Sequence, residues 1–306
     1  MLELHRIRDL SLQHPPQPGR PAHLSAASGL VRAGEFLYVV ADDEFHLGVF
    51  PLIGNRPGVL LRLKPGELPD APAARKAAKP DLESLARLGR SDKHPHGALF
   101  ALGSGSRPNR RRGFVVELAE QGAAIDSPRA VDLSAVYATL VQVKDINIEG
   151  AVVDGDRLRL LQRGNKGDGR NAVIELRCEG LAHQLRHQDG IDKVELVHIS
   201  WFDLGDVQGV PLCFTDGAAL ADGSVAFTAV AEDTDDNYAD GRCVGAAVGI
   251  INANGNLQTL RRLARPWKVE GIAARSVGGL VHLLLATDAD DPQVPASLYS
   301  AQLSRQ

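Results

Sequence analysis

Cysteine is scarce in this 306-residue chain. There are three, Cys178, Cys213 and Cys243, with neither metal-ligand spacing nor the pattern of a disulfide framework. They read as buried, inert thiols in a reducing compartment, so a cytoplasmic protein is expected. Positive charge is not in excess either: a net charge of -4 argues against nucleic acid as the main partner, because phosphate backbones want a basic face. No run approaches the roughly 20 apolar residues of a membrane span. Residues Met1 to Leu10 alternate polar and apolar side chains and show no signal-peptide core, so no membrane partner is expected. The signatures Gly-x-Ser-x-Gly, His-Glu-x-x-His and paired Cys/His are absent. Missing too are helical patterns of about 10–15 residues between strands, which argues against two α/β domains.

What is present is ordinary in bulk and unusual in arrangement. Hydrophobic residues at 44% and charged residues at 24% describe a globular chain with enough apolar mass for a large core. A short phrase occurs five times: Ser28-Gly-Leu-Val, Glu83-Ser-Leu-Ala, Glu149-Gly-Ala-Val, Asp216-Gly-Ala-Ala and Glu270-Gly-Ile-Ala. By subtraction of residue numbers the anchors lie 55, 66, 67 and 54 residues apart, the mark of a repeat architecture. Each anchor opens a series of short β-rich runs with turn residues between them, such as Phe36-Leu-Tyr-Val-Val40 and Gly113-Phe-Val-Val-Glu-Leu118. The fifth repeat has three runs and lacks a fourth, while a surplus strand, Leu4 to Leu10, precedes the first repeat.

The economical solution is an all-β, five-bladed propeller whose last blade is closed by the N-terminal strand, because ring closure leaves only short protected edges. A single domain over 1–306 is expected, with blades about 26–63, 79–133, 145–204, 214–263 and 268–303 plus 3–10. Six blades would need another anchor, and the only room for one, 177–213, offers none. Within that stretch, Cys178 to Gln188 carries Leu181, His183 and Leu185 at near-helical spacing and is expected to form a short surface helix.

In such a ring the first strand of every blade lines the channel. The glycine after an anchor then has a reason, since only a small residue fits where strands crowd the axis. Glu83, Glu149, Asp216 and Glu270 would converge with Ser28. Two unit charges ~5 Å apart at an effective dielectric of ~20 repel by roughly 3 kcal/mol, so four carboxylates need a counter-charge or protons. A hard cation answers that need, and calcium best matches an all-oxygen, carboxylate-rich set. Lys79, Lys144 and Lys268, each shortly before a Glu anchor, could instead form ion pairs, or the carboxylates could cap backbone amides of neighbouring blades. Asp216 is the anchor whose register could slip to present Thr215.

The loops entering first strands and those joining second to third strands share one face, the place for a ligand site on a rigid scaffold. The loop Gly103 to Gly113 holds Ser104, Ser106, Arg107, Arg110 and Arg112, a set suited to cradling phosphate, sulfate or carboxylate. Arg163, Asn165 and Lys166 lie on an equivalent loop, so a small anionic ligand is expected there. It is not a phosphate-binding P-loop, because the lysine is missing and a strand follows. The acidic run Glu232 to Tyr238 lacks the ligand order of an EF-hand and reads as a solvated loop or a partner for arginine. His46 beside Asp42 and Asp43 is the candidate general base, with Asp43 and His46 the catalytic pair expected. His94 and His96 fall on the opposite face and are read as bystanders.

With this ring the chain resembles the calcium-activated nucleotidase (apyrase) family, five-bladed propellers that hold a central calcium in a Ser/Glu ring. Asn147-Ile-Glu-Gly-Ala151 and Val269-Glu-Gly-Ile-Ala273 are also similar to bacterial Glu-Gly-Leu/Ile-Ala propellers, among them phytase-like esterase domains and SdiA-regulated proteins. The resemblance implies calcium ligation by Ser28, Glu83, Glu149 and Glu270; Asp216 stands where it calls for serine. The catalytic residues of the nucleotidases find no match by position. The expected function is a calcium-binding, monomeric propeller with an anion site on its loop face, acting as a hydrolase of phosphate or carboxylic esters. A non-catalytic scaffold with structural channel carboxylates is the alternative.

Overall fold

Runs such as Ala98–Gly103 are apolar at every position, which suits a strand covered on both faces. Leu99 and Ala101 turn one way into a cluster with Tyr38 and Val40, while Phe100 and Leu102 turn the other way into a cluster with Ile148 and Leu160. The two-residue period of a strand thus divides one element between two interfaces. Five apolar clusters result, one between each pair of adjacent blades. The computed structural model describes residues 1–125, 127–164, 170–234 and 241–305.

The N-terminal strand β1 (His5–Asp9) is followed by blade one, β2 (Ala27–Ala33), β3 (Phe36–Ala41), β4 (His46–Pro51) and β5 (Val59–Arg62). Helix α1 (Pro72–Ala78) leads into blade two, β6 (Leu82–Leu88), β7 (Ala98–Gly103), β8 (Arg112–Glu117) and β9 (Arg129–Asp132). Helix α2 (Ser134–Ala138) precedes blade three, β10 (Ile148–Asp154), β11 (Arg157–Gln162) and β12 (Asn171–Cys178), which is completed after α3 (Leu181–His187) by β13 (Val194–Phe202). A small hairpin, β14 (Asp206–Val207) and β15 (Val210–Pro211), opens onto blade four: β16 (Cys213–Ala219), β17 (Val225–Asp233), β18 (Arg242–Ile251) and β19 (Leu257–Arg262). Blade five holds β20 (Val269–Val277), β21 (Leu280–Thr287) and β22 (Ser297–Ser304).

Each blade is a four-stranded antiparallel meander, and the fifth has the order β1-β22-β21-β20. The N-terminal strand therefore closes the ring, pairing His5 with Ser300 and Asp9 with Ser297. The first strands β2, β6, β10, β16 and β20 neighbour one another in turn around the axis. Stretch 177–213 adds a helix and a hairpin but no sixth blade among the described residues. The helix is not a surface one as expected: Leu181 and Leu185 are buried in the cluster between blades two and three. His94 is buried too and ties α3 down, with Nδ1 3.0 Å from Glu117 and Nε2 3.1 Å from the carbonyl of Ala182. No helix among the described residues is long and apolar enough to cross a membrane.

Candidate functional site: the loop-side mouth of the channel

In every blade the pairing between first and second strands shifts by one residue, between Ala27 and Gly29, Leu82 and Ser84, Ile148 and Gly150, Phe214 and Asp216, and Val269 and Gly271. The residue skipped at each bulge is Ser28, Glu83, Glu149, Thr215 or Glu270. A bulge leaves one residue out of the ladder and re-aims its side chain. In blades one, two, three and five the next position is small, Gly29, Ser84, Gly150 or Gly271, and packing is close there: a Cβ on Gly150 would stand 2.8 Å from the Gly217 amide nitrogen, and one on Gly29 2.9 Å from that of Leu85.

The fourth ring position belongs to Thr215, which corrects the expectation for Asp216. A one-residue shift sends a side chain to the other face of its strand. The Asp216 carboxyl is fully buried; Oδ2 accepts from the amides of Ile272 at 2.8 Å and Leu30 at 3.3 Å, and Oδ1 from that of Gly217 at 2.7 Å. It fastens blades four, five and one together, the amide-capping role. Thr215 Oγ1 donates to the carbonyl of Val269 at 2.7 Å, and Ser28 Oγ to that of Ala26 at 3.4 Å.

Carboxylates outnumber cations at the mouth. Asp42, Asp81 and Glu83 each offer an oxygen within 4.8 Å of the others. Lys79 bonds to Asp42 and lies 3.0 Å from Asp81, whose other oxygen takes Arg110 at 2.8 Å. Across the ring, Arg163 faces Glu149 at 3.5 Å and Glu270 at 3.9 Å and pairs with Glu232. Lys268 lies 2.8 Å from Glu232, 3.5 Å from Glu270 and 3.8 Å from Asp288, and also pairs with Asp290. Among the described residues seven carboxylates thus share four cations, with Glu83 beside them. Among the described residues no hydrogen bond or ion pair reaches Glu83, and buried Glu270 Oε1 makes no hydrogen bond.

The titration of these groups reflects the crowding. Burial, then Glu149, Asp81 and Asp42, hold Glu83 well above the usual carboxylate range, with Lys79 opposing. Burial pushes Glu149 up to about 7 against the pull of Arg163, and Asp288 up to about 8 against that of Lys268. Glu270 is raised likewise by burial. Burial works against the charge of Lys79, yet Asp42, Glu83 and Asp81 outweigh it and raise its pKa. For Glu232 burial is outweighed by Arg163 and Lys268, so its carboxyl is lowered. Both sides of the ring are therefore left short of positive charge, with Glu83 raised on one side and Glu149, Glu270 and Asp288 on the other.

Several expected site residues serve other ends. Lys144 is exposed and takes no part in the ring; Arg163 supplies the counter-charge of blade three. The anion cradle is already filled, because buried Ser104 and Arg110 close on the Asp81 carboxylate, with Ser106 Oγ 2.8 Å from Ser104 Oγ and 3.0 Å from Arg110. Arg107 is half-buried, and Arg112 is exposed opposite Asp132 of the outermost strand. Asn165 and Lys166 lie outside the described residues, as does 235–240 of the acidic loop. Asp43 and His46 do not pair: His46 Nδ1 stands 3.4 Å from Glu44, while Asp43 is held by Arg75 at 3.0 Å and Arg20 at 3.4 Å beneath α1. Burial and its acidic neighbours raise Asp43, with Arg75 and Arg20 opposing. The three thiols are free, and burial pushes Cys178 up to about 12 and Cys213 and Cys243 up to about 11.

Asp81 is the residue that reading for anchors overlooked. It stands two positions before Glu83, as Asn147 does before Glu149 and Lys268 before Glu270; Asn147 donates to Glu149 at 2.6 Å. All three stand one residue before the first strand of their blade, and that recurring offset from the anchor was the available signal. Asp81 and Asp290 also hold left-handed backbone, at φ of 55° and 54°, a conformation that costs of order 1–3 kcal/mol and gathers at functional sites.

No curated protein matches the chain. Among solved structures, a luciferin-regenerating enzyme is similar at 9% identity and a TM-score of 0.42, over 97% of this chain and 95% of that one. Lignostilbene dioxygenase of Pseudomonas brassicacearum is similar at 15% identity and 0.42, over 96% and 68% respectively. A member of the DUF4221 family from Bacteroides vulgatus is similar at 10% and 0.39, over 98% of each chain. At such scores these likenesses carry no argument, and the fold rests on the blade topology. A family model matches residues 23–303, so the chain belongs to DUF6929, a family of unknown function.

Proposed function

We propose that this propeller binds a divalent cation, calcium by donor type, at the loop-side mouth of its channel, and presents it to a small anionic ligand. The observation that carries the reading is the Asp42–Asp81–Glu83 cluster: three carboxylate oxygens within 4.8 Å, with Glu83 making no hydrogen bond or close ion pair among the described residues and only the more distant charge of Lys79 opposing it. The donors fit, being all oxygen, carboxylate-rich and mounted partly on loops, as calcium favours. The hydroxyl oxygens of Ser28 and Thr215, at the equivalent bulge positions, each donate to a backbone carbonyl and retain lone pairs. Once bound, a cation supplies Lewis acidity toward a phosphoryl or carboxyl oxygen. Glu149, with a carboxyl poised at about 7, can exchange a proton with water near neutral pH, the property a general base in ester hydrolysis needs. Hydrolysis of a phosphate or carboxylic ester is therefore the activity proposed, and Glu149 replaces His46 as the base.

A specific observation favours the second reading, a non-catalytic scaffold. Arg163 and Lys268 already compensate Glu149, Glu232 and Glu270. The two readings part on calcium titration of the intact chain by calorimetry, followed by a panel of phosphate and carboxylic esters. Calcium binding with turnover that Glu149→Gln abolishes supports the hydrolase; calcium binding without turnover removes the hydrolysis and leaves a cation-binding propeller; no calcium binding ends the cation reading and supports the scaffold.

A further inference from the structure

A second site lies far from the mouth, in the seam where blade five meets blade one. There β2 and β20 run side by side, and a cavity of about 760 Å³ opens between them. Arg32 and Arg275 line it together with His5 and His282. Strand alternation places Arg32 opposite the buried side chains of Val31 and Ala33, which belong to the interface with blade two. Arg275 pairs across its blade with His282. Among the described residues neither arginine makes a hydrogen bond or an ion pair, and the one carboxylate in the lining, Glu3, bonds to neither. Like charges on adjacent strands are destabilising, and Arg32 shows the strain: burial first, then Arg275, lowers its pKa. The rest of the wall is largely apolar, with Leu52, Ala273 and Leu284 among its residues.

We propose that this seam cavity is a binding site for a small organic anion, its carboxylate or phosphate held between Arg32 and Arg275 and its apolar body against Leu52, Ala273 and Leu284. Two guanidinium forks facing one cavity match planar and tetrahedral oxyanions, and an anion between them offsets a repulsion that the folded chain leaves standing. The cavity is within the size range of small-molecule sites. It is independent of the channel mouth: Arg275 stands five positions after Glu270 on β20, or about 16 Å at ~3.3 Å per residue.

Calorimetry on the intact chain, in buffer free of polyvalent anions, tests the proposal with inorganic phosphate, phenyl phosphate and hexanoate. Phenyl phosphate or hexanoate should bind, and inorganic phosphate more weakly than phenyl phosphate because it leaves the apolar wall unused; which of the two organic anions binds tighter assigns the headgroup. An Arg32→Ala/Arg275→Ala double variant should lose about tenfold or more in affinity, as the loss of charge-assisted contacts implies. Arg90→Ala, an exposed arginine elsewhere, should lose nothing. If the double variant does not fold, Arg275→Glu at an exposed position carries the test. The proposal is overturned if either variant binds like the wild type, if no organic anion binds below about 10 mM, or if inorganic phosphate binds as tightly as phenyl phosphate.

Discussion

Asp216 Oδ2 lies 2.8 Å from the amide nitrogen of Ile272, so a carboxyl of the fourth blade is held by the inner strand of the fifth. The same carboxyl takes the amides of Leu30 and Gly217. Asp216→Ala orphans three buried donors and should cost about 3 kcal/mol or more in stability. Calcium affinity should stay within about twofold, since the side chain does not reach the ring. Denaturant melts and calorimetry read the two effects separately; lost calcium binding at unchanged stability would restore the ligand role.

Glu83→Gln should act in the opposite sense. Without cation the change removes a charge crowded by Glu149, Asp81 and Asp42, and should stabilise the protein by roughly 1 kcal/mol. It should also abolish most of the upward shift in melting temperature expected of calcium under the proposed function, a shift worth ~2.7 kcal/mol at a hundredfold excess over Kd. Thermal melts with and without calcium decide it. A lower melting temperature with an intact calcium response would mean a purely structural glutamate.

Lys268→Met strands Glu232, Glu270 and Asp288 without their shared cation. Breaking a buried pair from one side costs about 3–5 kcal/mol. Part of that loss should return on adding calcium, measured as a larger ligand-induced shift than in the wild type. Equal shifts in both proteins would show that Lys268 and the cation do not share a field.

Stability in the absence of cation should fall as pH rises from about 5 to 8. Unfolded carboxyls ionise near 4, whereas burial keeps a proton on Glu149 until about 7 and on Asp288 until about 8. Across that window the folded chain holds more protons than the unfolded one, so raising the pH favours unfolding. Glu232, lowered by Arg163 and Lys268, keeps its contribution unchanged there and loses it only on acidification. Calcium should reverse the slope by favouring the ionised ring. Melts across this range, with and without the ion, check both signs, and a flat profile in both would remove the crowded-carboxylate picture.

Much of the architecture was written in the local pattern. Five anchors at near-equal spacing, runs of apolar residues with turns between them and one surplus strand at the start are enough to count blades and close the ring, because strand period and repeat length are properties of neighbouring residues. The small residue after each anchor was legible in the same way, from crowding at an axis. Even the burial of Leu181 and Leu185 was half visible: their spacing marked a helix, while the cluster that covers them joins residues of blades two and three, among them Leu88 and Phe100 far back in the chain.

The partners were another matter. Whether Asp216 or Thr215 faces the ring turns on a one-residue bulge, and composition is the same on either side of it. That Arg110 would spend its charge on Asp81, that Arg163 would stand in for Lys144, and that His46 would choose Glu44 over Asp43 depended on distances set by ring closure. So did the meeting of Arg32 and Arg275, which are 243 positions apart by subtraction and share a cavity only because the last blade packs against the first. The sequence alone determined a five-bladed ring with acids at its axis, since periodicity and hydrophobic burial act through neighbours along the chain. Which acid meets which cation was decided by the tertiary structure, since Coulombic and hydrogen-bond energies depend on ångström separations between blades that no local pattern encodes.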